Sequence, residues 1–354
     1  MKKENSRRIT KTVQVGSVAV GSNHPVSVQS MTKTKTENIP ETINQILELE
    51  ENGCEIIRCT ANSEEAAFAL KKIKQAIHIP LVADIHFNHK LALIALESGV
   101  DKIRINPGNI GDKQKIKTLV NACKERGVPI RIGVNSGSLE KDILEKYQYP
   151  TAEAMVESAL RHITILEDLN FTEILISMKS SNAILTMDAY RLLATKVNYP
   201  FHTGVTEAGA GNQGIIRSTL GIGTLLAEGI GDTIRVSLTE NCIEEVRVGK
   251  EILRSLQLTS FGVNIISCPT CGRLEADLFS IVKELENRTG KIKKPLDVAV
   301  MGCVVNGPGE AKDADVGISI GKGHAVLYAD GQSRGMVEID QAVNEMMKII
   351  EEKI

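Results

Sequence analysis

Apolar positions along the chain gather into short β-branched runs, each followed by a polar loop and a longer stretch whose apolar residues recur at spacings of three and four. The runs are PVSVQSM (25–31), EIIRCT (55–60), LVADIH (81–86), KIRINP (102–107), IRIGVN (130–135), EILISMK (173–179), FHTGVTE (201–207) and TIRVSLT (233–239). Stretches such as ETINQILELEENG, SEEAAFALKKIKQAI and AEAMVESALRHITILEDL carry the helical spacing between them. A strand period alternating with a helix period predicts βα units. Eight of them within about 230 residues predict an α/β fold, a (β/α)8 TIM barrel. The earlier TVQVGSVAVG reads as a hairpin turning at Gly16 and Ser17, placed to plug the barrel floor.

After EEVRVGKEILRSLQ the pattern changes. Strand GVNIIS, helix EADLFSIVKELENR and strand PLDVAVMG are followed by three strands near 316–320, 325–329 and 334–337 and a last helix from about 340. The reading is a barrel over 1–257 and a smaller α+β domain over 258–354.

Polar residues interrupt the barrel strands where a purely structural barrel would carry Val or Ile. Residues two apart share a strand face. Asp84 and His86, Arg104 and Asn106, Arg131 and Asn135, Ser177 and Lys179, and Arg235 and Ser237 therefore point in pairs toward the C-terminal mouth, joined by Arg58 and Glu207. Five cations around one mouth (Arg58, Arg104, Arg131, Lys179, Arg235) repel one another unless an anion sits among them. Arginine forks suit phosphate oxygens. A phosphorylated small molecule is the expected ligand. GAGNQG (209–214) matches the dinucleotide fingerprint, but after a seventh barrel strand it reads equally as a phosphate-binding helix start or a tight turn.

Composition narrows the field. Of 354 residues 42% are apolar and 24% charged, as in a globular protein, and the net charge of −2 with 3% aromatics and no Trp argues against a nucleic-acid partner. No apolar run approaches a membrane span and MKKENSRRIT leads into no signal-peptide core, so a cytoplasmic protein without membrane contact is expected. Seven cysteines, an odd number, do not suggest a disulfide framework.

SCPTCGR (267–273) alone fits zinc, a redox disulfide or part of an iron–sulfur cluster. Cys303, in GCVVNGPGE, adds a third thiol among glycines whose backbone N–H groups can serve sulfur. No fourth cysteine follows, and three thiolates with one weaker position suit a cluster with a reactive iron better than a closed zinc site. Glu310, across a Gly-Pro-Gly turn, is the nearest carboxylate for that position. Cys54, Cys59, Cys123 and Cys242 read as core residues.

These motifs, with ADIHF, KIRINPGN, RIGVNSGS, ISMKSSN, TGVTEAG and DTIRVSLT in order, resemble the 4-hydroxy-3-methylbut-2-en-1-yl diphosphate synthase family of the non-mevalonate isoprenoid pathway, in its compact bacterial form. The resemblance runs over nearly the whole chain. It implies a [4Fe-4S] cluster on Cys268, Cys271, Cys303 and Glu310. The implied substrate is 2-C-methyl-D-erythritol 2,4-cyclodiphosphate, its diphosphate met by Arg58, Arg104, Arg131 and Lys179. His86, Asn106, Asn135, Ser237 and Asn306 match family positions lining the same pocket. Glu207 is the candidate proton donor, and reduced flavodoxin or ferredoxin the implied electron donor.

Two other classes compete: a zinc-dependent phosphosugar lyase with Lys179 as Schiff base, and a non-enzymatic redox-sensing cluster protein. A further expectation concerns assembly. The helix near 241–256 runs back to the barrel floor, and the connector 257–262 spans only about 20 Å. A cluster domain starting there reaches a barrel mouth most simply in a head-to-tail homodimer.

Overall fold

The computed structural model describes residues 7–86, 88–106, 113–259, 261–305, 307–321 and 323–354. The chain divides into two compact units, Met1–Thr259 and Ser260–Ile354.

The first unit opens with an antiparallel hairpin, β1 (Val13–Val15) and β2 (Val18–Val20), turning at Gly16, whose φ of 54° is left-handed. Eight parallel strands follow: β3 (Ser27–Met31), β4 (Ile56–Thr60), β5 (Leu81–Asp84), β6 (Lys102–Ile105), β7 (Ile130–Asn135), β8 (Ile174–Lys179), β9 (His202–Thr203) and β10 (Thr233–Ile234). Their order, β8-β7-β6-β5-β4-β3-β10-β9, is closed by a bridge between Ile176 and Phe201. The strands are buried on both faces, as a helix-wrapped parallel sheet requires.

The helices around them are α1 (Ile39–Glu51), α2 (Glu64–Ala76), α3 (His89–Glu97), α4 (Lys113–Arg126), α5 (Lys141–Tyr147), α6 (Ala152–Glu167), α7 (Ala183–Ala194), α8 (Gly211–Ser218), α9 (Thr224–Ala227) and α10 (Cys242–Ser255), with a π-turn at Thr219–Gly223 between α8 and α9. Short polar residues end several mouth loops as N-caps. Ser63 accepts from Ala66 N, Thr151 from Ala154 N, Asn182 from Ile184 N and Asn241 from Ile243 N. Each such cap is worth about 1 kcal/mol and fixes where the loop above a strand turns into a helix.

The lumen is apolar only at its floor, where Val13, Val15 and Val20 of the hairpin pack on Ile56, Val82 and Leu175. Higher up the inward positions are polar. β9 and β10 are shorter than the runs 201–207 and 233–239 suggest. The chain leaves the ladder after Thr203 and turns at Glu207, φ 53°, toward α8.

The second unit has one sheet, β11 (Val263–Ser267), β12 (Leu296–Met301), β13 (Val316–Ile320), β14 (His324–Ala329) and β15 (Gln332–Glu338), in that order. β11, β12 and β13 are parallel and the last two pairings antiparallel. Its core joins Leu278, Ile281 and Leu285 of α11 (Leu278–Thr289) and Met346 and Ile350 of α13 (Ala342–Lys353) to Val298, Val300 and Ile318. α12 (Gly307–Asp313) replaces the Gly-Pro-Gly turn expected there. Proline is tolerated in a first helical turn, where no intrahelical N–H is needed. Gly307 lets the helix lie on β13, since a Cβ there would stand 2.2 Å from Ser319 Oγ. Among the described residues no helix is long and apolar enough to cross a membrane.

Candidate active site and metal centre

Period-two alternation turns Arg58 of β4, Asp84 of β5, Arg104 of β6, Arg131 of β7 and Ser177 and Lys179 of β8 into the lumen, with Arg235 just past β10. Asp84 sits among them. Its Oδ1 accepts from Arg104 Nη1 at 3.1 Å, and its Oδ2 lies 3.7 Å from Arg58 Nε and 3.5 Å from His86 Nε2. Arg58 also rests on Met31 Sδ. Arg131, 1% exposed, donates from Nη1 to Ser177 Oγ, while its Nε and Nη2 find no acceptor. Arg235 Nη2 is 3.6 Å from Glu245 Oε2, and Lys33 Nζ is 3.2 Å from Glu245 Oε1.

Six basic side chains (Arg58, Lys102, Arg104, Arg131, Lys179, Arg235) thus face two carboxylates, Asp84 and Glu245, among the described residues. Titration follows that imbalance. Burial, and then Arg235, Arg131, Arg58 and Arg104, hold the Lys179 ammonium well below its ordinary value. Burial pushes Arg58 down to about 10, against the pull of Asp84. Burial would raise Asp84, but Arg58, His86 and Arg104 together hold it well below the carboxylate range. A lumen this rich in unmatched donors is built for an anion.

Two glycines make room for these side chains. A Cβ on Gly133 would stand 2.5 Å from Arg104 Nε, and one on Gly204 would stand 2.8 Å from Lys179 Nζ. Asn135 ends β7 opposite Lys179 in register. Asn106 follows β6, Ser237 follows Arg235 and both are half-buried; His86 is exposed at the rim. Glu207 is exposed in the loop after β9, in a left-handed conformation that a non-glycine residue holds only under strain, as residues at functional sites often do. In GAGNQG, Gly211 opens α8 and its N–H donates to Glu240 Oε1 at 3.0 Å, so a carboxylate of the chain already meets that helix start. Asn306 lies outside the described residues.

In the second unit Cys268 directly follows β11 and Cys303 lies two residues past β12. The two strands are adjacent and parallel, with Ser267 opposite Val300. Both thiols therefore leave the same edge of the sheet. Cys268 Sγ accepts from Gly302 N–H at 3.4 Å, a backbone donor of the kind that serves thiolate. Cys271 is exposed, beyond Thr270, whose φ of 60° is costly for a β-branched residue. Glu310 is exposed in the first turn of α12. None of the seven cysteines is in a disulfide. Burial pushes the thiols of Cys54, Cys59 and Cys123 up to about 12, which leaves them inert, whereas Cys268, Cys271 and Cys303 stand at or near the surface. Three soft donors and a carboxylate on the segments that follow β11 and β12 fit an iron–sulfur group by donor chemistry. Among the described residues no three His, Cys, Asp or Glu side chains converge as a ready-made metal site.

The profile of the GcpE TIM-barrel domain matches residues 10–250, and that of the GcpE protein C-terminal domain matches residues 264–352. The chain belongs to the GcpE family. Two relatives are 55% identical to this GcpE chain across 98% of its length, one from Symbiobacterium thermophilum (94% of the relative covered) and one from Clostridium perfringens (99% covered). Both bear the name 4-hydroxy-3-methylbut-2-en-1-yl diphosphate synthase (flavodoxin). Among solved structures, dihydropteroate synthase from Stenotrophomonas maltophilia with active site-bound imidazole shares the fold at a TM-score of 0.50 and 14% identity, over 69% of this chain and 98% of that one. The GcpE barrel also holds inward residues that the strand-mouth reading passed over: Lys102, Gln29 and His202. Lys102 precedes Arg104 by two, so the same alternation that pointed to Arg104 pointed to it as well.

Proposed function

We propose that this GcpE-family chain is a 4-hydroxy-3-methylbut-2-en-1-yl diphosphate synthase. It opens the ring of 2-C-methyl-D-erythritol 2,4-cyclodiphosphate and removes the C3 hydroxyl as water. The observation that carries this reading is the 55% identity, over 98% of the chain, to enzymes of that name. The cation-lined lumen agrees with it in chemistry. The dianionic substrate takes two electrons and one proton and leaves a trianionic diphosphate and water.

Arg58, Arg104, Arg131 and Lys179 bind the diphosphate, and Asp84 holds two of those guanidiniums in place. His86, Asn106, Asn135, Ser237 and Asn306 line the rest of the pocket. Glu207 delivers the proton to the departing hydroxyl from a carboxyl oxygen. Cys268, Cys271, Cys303 and Glu310 hold a [4Fe-4S] cluster, which supplies electrons one at a time and a Lewis-acid iron when bound. Reduced flavodoxin is the electron donor, as the relatives' name suggests, with ferredoxin the alternative. The assembly proposed is a homodimer, supported by the short stretch, 256–262, between α10 and β11.

Anaerobic purification tests the reading. About four irons per chain in a brown protein, and turnover of the cyclodiphosphate with reduced flavodoxin, are expected. A colourless protein with stoichiometric zinc, or an iron protein without turnover, refutes it. For the homodimer, mixing inactive Arg131→Ala and Cys303→Ser chains restores activity if sites are shared between chains. No recovery after demonstrated chain exchange rejects that.

A further inference from the structure

Lys102 is one of the basic side chains of the lumen but is not among the four assigned to the diphosphate. Its side chain is fully buried and crosses the lumen from β6 to β3, where Nζ donates to Gln29 Oε1 at 3.3 Å, its only hydrogen-bond partner among the described residues. Among the described residues no carboxylate forms an ion pair with it, and Asp101 acts on it only at a distance. Its neighbour Asp101 points away, bound to Lys74 Nζ and Leu81 N. Asp84 is committed to Arg58, Arg104 and His86, and Glu245 to Arg235 and Lys33.

The groups facing Lys102 are cationic or neutral. Arg131 on β7 has two buried nitrogens without acceptors. His202 on β9 has both ring nitrogens unpartnered among the described residues, and burial followed by Arg131 lowers it from its ordinary value. Arg58 acts from β4, while β3 offers only Gln29. Arg104 on the same strand, Lys179 on β8 and Arg235 beyond β10 lie nearer the mouth. Burial first, then Arg131 and Arg58, hold the Lys102 amine well below its ordinary value, so the free lumen disfavours its ammonium. A dianion among Arg58, Arg104 and Arg131 offsets most of that field, and an opposite charge nearby favours the ammonium.

We propose that Lys102 is a positioning residue of the anion site that takes up one proton from solvent when the cyclic diphosphate binds, its ammonium anchored on Gln29 supplying positive charge from beneath. The amine gains the proton and no other bond changes. Because ring opening turns a dianion into a trianion, that charge is in place before the product needs it. The free barrel meanwhile avoids a permanently charged floor. The inference rests on the reading that the barrel binds the cyclodiphosphate.

Calorimetric titration of the oxidised holoenzyme with the cyclodiphosphate, without reductant, tests it at pH 7.5 in buffers of different ionisation enthalpy. The ligand's phosphate oxygens are fully ionised there, so any proton taken up belongs to the protein. Native enzyme is expected to take up protons on binding, with Lys102 and the likewise depressed Lys179 both contributing. Lys102→Met and Lys102→Gln are expected to bind about tenfold more weakly, with uptake lower than native by close to one proton per site and with melting temperatures at or above native. A merely structural lysine would instead lower the melting temperature and leave proton uptake unchanged. Binding by native enzyme without proton exchange, or undiminished uptake in both variants, overturns the role of Lys102. Absence of any binding heat overturns the cyclodiphosphate reading and this inference with it.

Discussion

Asp84→Asn keeps the shape of the side chain and removes the carboxylate that, among the described residues, pairs with Arg58 and Arg104. Breaking a buried ion pair from one side costs about 3–5 kcal/mol, because the partner charges remain buried. Here one contact is a 3.1 Å hydrogen bond, which the asparagine oxygen can still accept, and the other is a looser 3.7 Å approach. The lower end, about 3 kcal/mol, is therefore expected. For a unit of this size that lowers the melting temperature by roughly 6–12 °C. Calorimetry at pH 7 measures it, with the cyclodiphosphate added in a second scan. Since the anion replaces the missing negative charge, the ligand should stabilise the variant more than the native protein. The pH dependence has a defined sign. Asp84 is depressed in the folded state, so its contribution is complete above the unfolded value of about 3.9 and is lost as pH falls through the folded one. Native and variant stabilities should converge only in strong acid. A variant that melts within about 1 °C of native at pH 7, against the loss worked out above, would show that the lumen cations are held apart by something other than Asp84.

Arg131→Lys keeps the charge but loses the fork, and steady-state kinetics should show KM raised about tenfold or more. Gly133→Ala puts a methyl 2.5 Å from Arg104 Nε, so Arg104 must shift; substrate binding should weaken while melting falls by no more than about 1–3 kcal/mol equivalent. Iron analysis should find the metal lost in Cys303→Ser and retained in Cys59→Ser, whose thiol is buried in the barrel wall, with Glu310→Ala keeping more iron than Cys303→Ser yet losing turnover. Thermal melts of the free protein from pH 7 to 8.5 should show stability rising, because the unfolded chain binds protons that the depressed Lys102 and Lys179 do not. Above about pH 8.5, where unfolded thiols ionise, the cysteines raised to about 12 oppose that rise.

The eight βα units were legible in the sequence because strand and helix periods are local properties, set by which faces a segment must bury. The two-residue β9 and β10 were not, since the ladder there ends where the backbone turns at Glu207, which depends on what α8 must reach. The motif order was enough to place the family, because spacing and residue type survive without coordinates. α12 escaped the reading for a tertiary reason: a Gly-Pro-Gly segment is a turn by local preference and becomes a helix when Gly307 can pack against Ser319. The period-two rule placed Arg104 and Arg131 on inward faces, and it placed Lys102 there too. That Lys102 hydrogen-bonds to Gln29 across the lumen, that Asp84 is shared by three basic groups, and that Gly133 and Gly204 make room for Arg104 and Lys179 follow only from barrel closure, which brings side chains from separate strands into one low-dielectric space. A single chain segment carries the charge of each residue; only the closed barrel decides which of those charges has a partner.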